Sequence, residues 1–166
     1  MSFITVPLDS TFIRKSFSCG IAALDNYLHK QANQDIKRHL SACFVMPGQN
    51  NTIIGYYTLS NDSISQDLLP IEIARKLPNS YKNLPVTLLG RLAMDEQFKG
   101  QGIGCKLLMD ALYRCYILSQ QIGSMAVVVD PIDDSAISFY QKYDFIMLPD
   151  SGRMFVSMDT VRMLFN

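Results

Sequence analysis

The chain has 166 residues, enough for one domain with a full core and too short for two comfortable ones, so a single domain over residues 1–166 is the expectation. Apolar residues make up 48% and charged residues 18%, with 9 Gly and 7 Pro, a balance that excludes disordered, collagen-like and low-complexity classes. The 15 Lys and Arg residues meet 15 Asp and Glu residues, so no global field marks the chain for a polyanion or a membrane surface, and any such partner must find a local patch.

Metal and redox motifs are missing from the sequence. Cys19, Cys43, Cys105 and Cys115 form no CxxC pair, and His29 and His39 stand ten residues apart rather than at a metal-binding i, i+4 spacing, so no metal site is expected. The opening Met-Ser-Phe-Ile-Thr-Val-Pro-Leu lacks a basic start followed by an apolar run, and no stretch approaches the roughly 18 apolar residues of a membrane span. The expected address is a reducing cytoplasm with no membrane partner.

In chain order, residues 3–6 and 12–17 read as short extended segments around a Pro-Leu-Asp-Ser turn. An amphipathic helix is expected from about Gly20 to about Arg38, with Ile21, Leu24, Leu28, Ala32 and Ile36 on its apolar face. Ala42–Met46 and Thr52–Ser60 are strand-like, and the Pro47-Gly48-Gln49-Asn50-Asn51 cluster between them is hairpin chemistry, so the two should pair antiparallel. Residues 61–83 are polar and Pro-punctuated, with a short helix at 71–76, and lead into the strand Pro85–Met94. From Gly102 to Gln121 the residues Leu107, Leu108, Ala111, Leu112, Cys115 and Leu118 recur at helical spacing. Met125–Val129 suits a strand buried on both faces. Asp133 or Asp134 can cap a third helix running to about Tyr143, and a strand pair at 145–148 and 153–158 is split by Pro149-Asp150-Ser151-Gly152. This order of elements indicates one mixed α/β layer structure.

The strongest local signal is Leu88-Leu89-Gly90-Arg91-Leu92-Ala93-Met94 followed by a polar link and Lys99-Gly100-Gln101-Gly102-Ile103-Gly104, which opens the long helix. Glycines in such a turn let successive amides face one concavity, and a helix N-terminus favours an anion there. Three glycines can also simply close a tight loop. A Walker loop is excluded because Gly104 is followed by Cys105-Lys106-Leu107, and the G-x-G-x-G frame departs from the Rossmann fingerprint.

Lys99–Gly104 resembles the pyrophosphate loop of the GNAT acetyltransferases, Arg/Gln-x-x-Gly-x-Gly/Ala, with lysine replacing the usual first residue. Asp133-Asp134-Ser135-Ala136-Ile137-Ser138-Phe139-Tyr140, then Tyr143-Asp144-Phe145, resembles the second signature, Asn-x-x-Ala-x-x-Phe/Leu-Tyr followed by Gly-Phe. Asp133 and Asp144 depart from the usual Asn and Gly. Over almost its whole length the chain also resembles the GNAT-type toxins of bacterial type II toxin–antitoxin pairs, through Phe17-Ser18-Cys19-Gly20, Leu24–Leu28, Gly55–Ser60, Arg75-Lys76-Leu77-Pro78 and Pro85–Ala93.

The resemblance implies a GNAT fold, a mixed, mostly antiparallel twisted sheet of about six to seven strands flanked by helices. It also implies acetyl transfer from acetyl-CoA to the α-amine of aminoacyl-tRNA, a ribbon-helix-helix antitoxin partner and a homodimer. Acetyl-CoA would contact Leu92, Ala93 and Met94 through the main chain of a splayed strand. Its other contacts would come from Lys99, Gly100, Gln101, Gly102, Ile103, Gly104 and Cys105 on the loop, and from Asp133, Ser135 and Phe139. Tyr140 is the implied acid for the departing thiolate, although helix spacing alone reads it as a residue packed on the core beside Phe139. Cys105 reads as a packing thiol, since a nucleophile needs a base and the family transfers acetyl directly.

The implied chemistry is physically sensible. An α-amine near 7.7–8.0 is already partly neutral at cellular pH, so a strong dedicated base is unnecessary, and Arg91-Leu92-Ala93-Met94 indeed contains no Glu or His. For tRNA, the charge divides unevenly: 8 basic against 6 acidic residues lie in residues 1–90, and 7 against 9 from Arg91 on. Lys30, Lys37, Arg38, Arg75, Lys76 and Arg91 are the candidate phosphate contacts, against the plainer reading of a solvated face. Two other readings stay open: a GNAT enzyme acting on a protein or small-molecule amine, and a CoA-binding interaction protein without turnover.

Overall fold

The computed structural model describes residues 2–166. Seven strands form one sheet: β1 (Val6–Pro7), β2 (Ala42–Pro47), β3 (Ile53–Ser65), β4 (Asn83–Met94), β5 (Ala126–Val129), β6 (Ile146–Met147) and β7 (Met154–Ser157). Their order is β1-β2-β3-β4-β5-β7-β6, with β4 and β5 parallel and the β1–β2, β2–β3, β5–β7 and β6–β7 pairs antiparallel. This is the mixed, mostly antiparallel sheet the sequence led us to expect. The chain packs as two compact units, one gathering the residues up to Ser60 with Leu89–Ala111, the other Asn61–Leu88 with Leu112–Asn166.

In the first unit, the expected single helix is three pieces: α1 (Ala22–Asn26), a π-helical turn Tyr27–Gln31, and α2 (Ala32–Lys37). The apolar spacing explains the interruption. Steps of four drift about 40° each around an ideal helix, so Leu24, Leu28, Ala32 and Ile36 cannot all face inward unless one turn widens. It does so where the Ala32 amide donates to the Tyr27 carbonyl, five residues back. Leu28 and Ala32 are then fully buried, Leu24 and Ile36 pack at the edge of the same cluster, and Ile21 stays exposed. His39, at φ +58°, closes α2 in a Schellman motif: its amide donates to Ile36 and that of Leu40 to Asp35.

Residues 12–17 do not form the expected strand. The Asp9 carboxylate captures the Thr11 amide and hydroxyl, and the Phe17 amide bonds to Arg14, so local turns win over the extended form. The β2–β3 hairpin is as expected, with Asn50 and Asn51 both at positive φ. β3 continues to Ser65 through Asn61-Asp62-Ser63, whose polar side chains look turn-like in sequence, because Ile64 is buried in the second unit's core.

α4 (Ile103–Ser119) buries Leu107, Leu108, Ala111, Leu112 and Cys115, while Leu118, expected on that face, is exposed in the last turn. Asp110, 1% exposed, accepts from the Ile4 amide, the Thr5 hydroxyl and the Tyr57 phenol, which ties the N-terminal segment and β3 to this helix.

The second unit holds α3 (Ile71–Ala74), shorter than expected, and α5 (Asp134–Gln141). β5 is buried throughout. β7 enters between β5 and β6, and a further helix, α6 (Met158–Met163), follows it with Ser157 as its cap; the sequence reading ends in strand there and misses it. No helix among the described residues is long and apolar enough to cross a membrane.

Candidate active site

β4 ends in Leu92 and Met94, both half-buried, around a buried Ala93. Asp95 then stops the strand. Its amide donates to the Ile54 carbonyl at 2.7 Å, one carboxylate oxygen accepts from the Gln97 amide at 2.9 Å, and the other from the Ser18 amide at 3.1 Å. The Glu96 amide also bonds to Ser18. The short 3₁₀ turn Glu96–Phe98 is therefore braced on two sides before Lys99 begins the loop. Sequence reasoning passed over Asp95; the available signal was an acidic residue directly after an apolar strand, at a capping position.

In the loop itself, Gly100 and Gly102 lie at φ +78° and +73°, and a Cβ on either would meet no atom within 4 Å beyond its chain neighbours. The glycines thus supply a left-handed path and a bare surface rather than room for internal packing. Lys99 and Gln101 are exposed, Gly104 and Cys105 half-buried, and Ile103 is buried as the loop's anchor. The Lys106 amide is the first to close on the loop, at the Gly102 carbonyl, so the preceding helical amides of Ile103, Gly104 and Cys105 have no carbonyl within the helix to bond. Such amides at the positive end of a 17-residue helix suit a phosphate.

In the second unit, α5 carries the other sequence-predicted residues. Asp133 caps it, accepting the Ala136 amide at 2.8 Å, so an Asp at this position is committed to the helix start. Asp133 and Ser135 are exposed, and Phe139 is half-buried against the rings of Tyr140 and Tyr143. Past its other end stands Asp144, at φ +66°. The Phe145 amide reaches back to the Tyr140 carbonyl and the Asp144 amide to Gln141, a second Schellman motif, with the Phe145 and Tyr140 rings 5.1 Å apart across it. Aspartate thus holds the conformation the family usually gives to glycine, and Tyr140 is fixed by backbone and rings together. Burial pushes the Tyr140 phenol up to about 12, so it stays protonated at any physiological pH.

A sequence profile of the acetyltransferase (GNAT) family matches residues 12–145. The chain belongs to the GNAT acetyltransferase family. A tRNA-acetylating toxin of Mycobacterium tuberculosis is 37% identical over 134 residues, 81% of this chain and 78% of that protein. A probable TacT toxin of Sinorhizobium fredii is 32% identical over 171 residues, 97% of this chain and 94% of that one. Among solved structures, AtaT complexed with acetyl-methionyl-tRNAfMet superposes with a TM-score of 0.89 at 26% identity, over 98% of each chain.

This GNAT chain is an acetyl-CoA-dependent N-acetyltransferase. Its glycine loop is bare of side chains at Gly100 and Gly102, which suits a phosphate. No cluster of three His, Cys, Asp or Glu side chains among the described residues could hold a metal ion. The candidate tRNA residues are differently placed. Lys30, Lys37 and Arg38 are exposed on the α1–α2 stretch, where Lys37 and Arg38 also lie at the helix's negative end. Arg75 and Lys76 are exposed just after α3. Arg91 is half-buried, with its guanidinium carbon 3.5 Å from the centre of the Tyr27 ring. That contact had no sequence signal, because 64 residues separate the pair.

Proposed function

We propose that this chain acetylates the α-amine of an aminoacyl-tRNA and so withdraws it from normal translation. The observation that carries the reading is the bare positive-φ loop of Gly100 and Gly102 at the α4 N-terminus, in a chain whose relatives are tRNA-acetylating toxins. Loop amides bind the co-substrate's pyrophosphate, and the main chain of Leu92, Ala93 and Met94 orients the pantetheine and the acetyl carbonyl. The substrate amine, partly neutral without help, attacks that carbonyl; the C–N bond forms, the C–S bond breaks, and Tyr140 gives its proton to the departing sulfur. The amine's own surplus proton leaves to solvent, and Tyr140 is reprotonated from water.

Lys30, Lys37, Arg38, Arg75, Lys76 and Arg91 contact the tRNA backbone. Both units belong to one acetyltransferase domain, a reading supported by the family profile running through each. A ribbon-helix-helix antitoxin neutralises the enzyme, which works as a homodimer in a bacterial cytoplasm. Purified protein incubated with acetyl-CoA and a pool of charged tRNA tests the reading. Acetylated aminoacyl-tRNA is expected. Transfer only to protein or polyamine amines, or acetyl-CoA binding without transfer, overturns it.

A further inference from the structure

Arg91 is an arginine held in place without an anion. It is half-buried, its guanidinium carbon lies over the Tyr27 ring, and no carboxylate of the described residues forms an ion pair or hydrogen bond with it. Tyr27 is itself locked. Its ring is 3% exposed and stacks on Tyr56 at 6.3 Å with the planes 12° apart, and its hydroxyl donates to Asp35 at 2.9 Å. It is also the first residue of the π-helical turn, so the widened turn sets where the ring stands. A guanidinium stacked this way keeps its N–H fork free at the rim of the ring, the arrangement suited to bidentate recognition of phosphate.

The neighbouring strand surface points the same way. Gly90, immediately before Arg91, is exposed, and a Cβ there would meet only the Thr58 hydroxyl, at 3.0 Å. Thr58 Oγ1 is also the buried side-chain polar atom that lacks a partner among the described residues. The strand position next to Arg91 thus carries no side chain of its own.

We propose that Tyr27 is a positioning residue that holds the Arg91 guanidinium for one phosphodiester near the reacting end of the acceptor tRNA. This rests on the reading that aminoacyl-tRNA is the acceptor. Arg91 supplies the contact; Tyr27 acts through it. The function is to favour an acyl group carried on a nucleic acid over the same acyl group on a bare nucleoside.

The test compares aminoacyl-tRNA with the corresponding aminoacyl-adenosine, which has the same reacting amine and ester and no phosphodiester, using Arg91→Gln, Tyr27→Leu and Tyr27→Phe. For tRNA, Arg91→Gln and Tyr27→Leu should raise KM about tenfold with kcat within about twofold, and should make the slope of log affinity against log salt shallower by about one. Both variants should acetylate aminoacyl-adenosine as the wild type does. Tyr27→Phe keeps the ring face and should recover the tRNA KM. Arg91→Gln guards against a folding defect, since that side chain is only half-buried. An unchanged salt slope in Arg91→Gln, or equal losses on both acceptors in Tyr27→Leu, overturns the proposal. A wild-type protein that acetylates aminoacyl-adenosine and no charged tRNA overturns the acceptor reading and this proposal with it.

Discussion

Gly102 and Gly152 form a natural pair for separating a ligand contact from backbone strain. Their φ angles are +73° and +70°, and a Cβ at either meets nothing within 4 Å, but Gly102 opens α4 whereas Gly152 lies in the turn before β7. Alanine in the left-handed region costs about 1–2 kcal/mol, and part is offset because alanine narrows the unfolded chain by about 0.4–1 kcal/mol. Gly102→Ala and Gly152→Ala should therefore each lose about 1 kcal/mol, or about 2–4 °C in Tm for a chain of this size. At position 102 the new methyl would also stand beside the amides of Ile103 and Gly104, which are proposed to hold phosphate oxygens. Losing one hydrogen bond to a charged group, about 1.5–3 kcal/mol, weakens acetyl-CoA binding roughly 10- to 150-fold. Thermal melts and calorimetric titration with acetyl-CoA read the two effects separately. Matching melts with acetyl-CoA affinity lost only in Gly102→Ala is the expected result. Wild-type affinity in Gly102→Ala would refute the phosphate role of the loop, and an equal loss in Gly152→Ala would show that strain alone, acting through the fold, accounts for it.

Tyr140→Phe keeps the packing on Phe139 and Phe145 and removes only the phenol, so kcat should fall about 100-fold with acetyl-CoA affinity intact; unchanged transfer in a folded protein sinks the acid role. Because that phenol is held at about 12, the wild-type rate should rise as the substrate amine deprotonates and show no descending limb by pH 10, as a pH–rate profile will report. Glutamates at Lys37 and Arg38 should raise KM for charged tRNA and leave acetyl-CoA binding alone, and loss of both or of neither contradicts a tRNA patch there. Asp144→Gly should stabilise by about 0.5–1 kcal/mol and Asp144→Val destabilise by more, read by chemical denaturation, since only the first eases the positive φ. Burial holds the Cys43 and Cys115 thiols up at about 12, whereas the unfolded chain releases those protons near 8.5. Their contribution to stability is thus full below about pH 8.5 and falls by about 1.4 kcal/mol per thiol per pH unit above it, which denaturation at pH 8 and 10 will detect.

What could be read from sequence followed from short-range chemistry. The β2–β3 hairpin shows in Asn50 and Asn51, the α5 cap in Asp133, and the loop in its glycine spacing, because each is decided by residues within a few positions. What could not be read was decided by partners far along the chain. The strand expected at 12–17 lost to turns that the Asp9 side chain initiates, and β3 ran five residues past its apparent end because the core of the second unit takes Ile64. The π-helical turn was half legible: the three-four-four-four spacing carries the strain, but which turn would widen depends on Tyr27 fitting against Tyr56 and Arg91. Asp95 looked like a loop residue and proved to be a buried brace between Ser18 and Gln97.

The zero net charge follows a division of labour between main chain and side chain. Both elements of the proposed site sit at helix ends, where the backbone itself has groups to offer or conformations to fix: the start of α4, whose first amides precede the Lys106–Gly102 bond, and the end of α5, where Asp144 and Phe145 hold Tyr140. Neither device requires a formal charge, so the co-substrate's phosphates can be met without enriching the chain in Lys or Arg. A tRNA backbone offers no comparable concavity into which a loop could close; its phosphates lie along an exposed surface and must be reached by long cationic side chains. Those side chains are few in this chain, so each must be well placed. An arginine fixed on a tyrosine ring loses less freedom on binding than a solvated lysine, which is why the stacked Arg91 should contribute more per charge than Lys30 or Lys76.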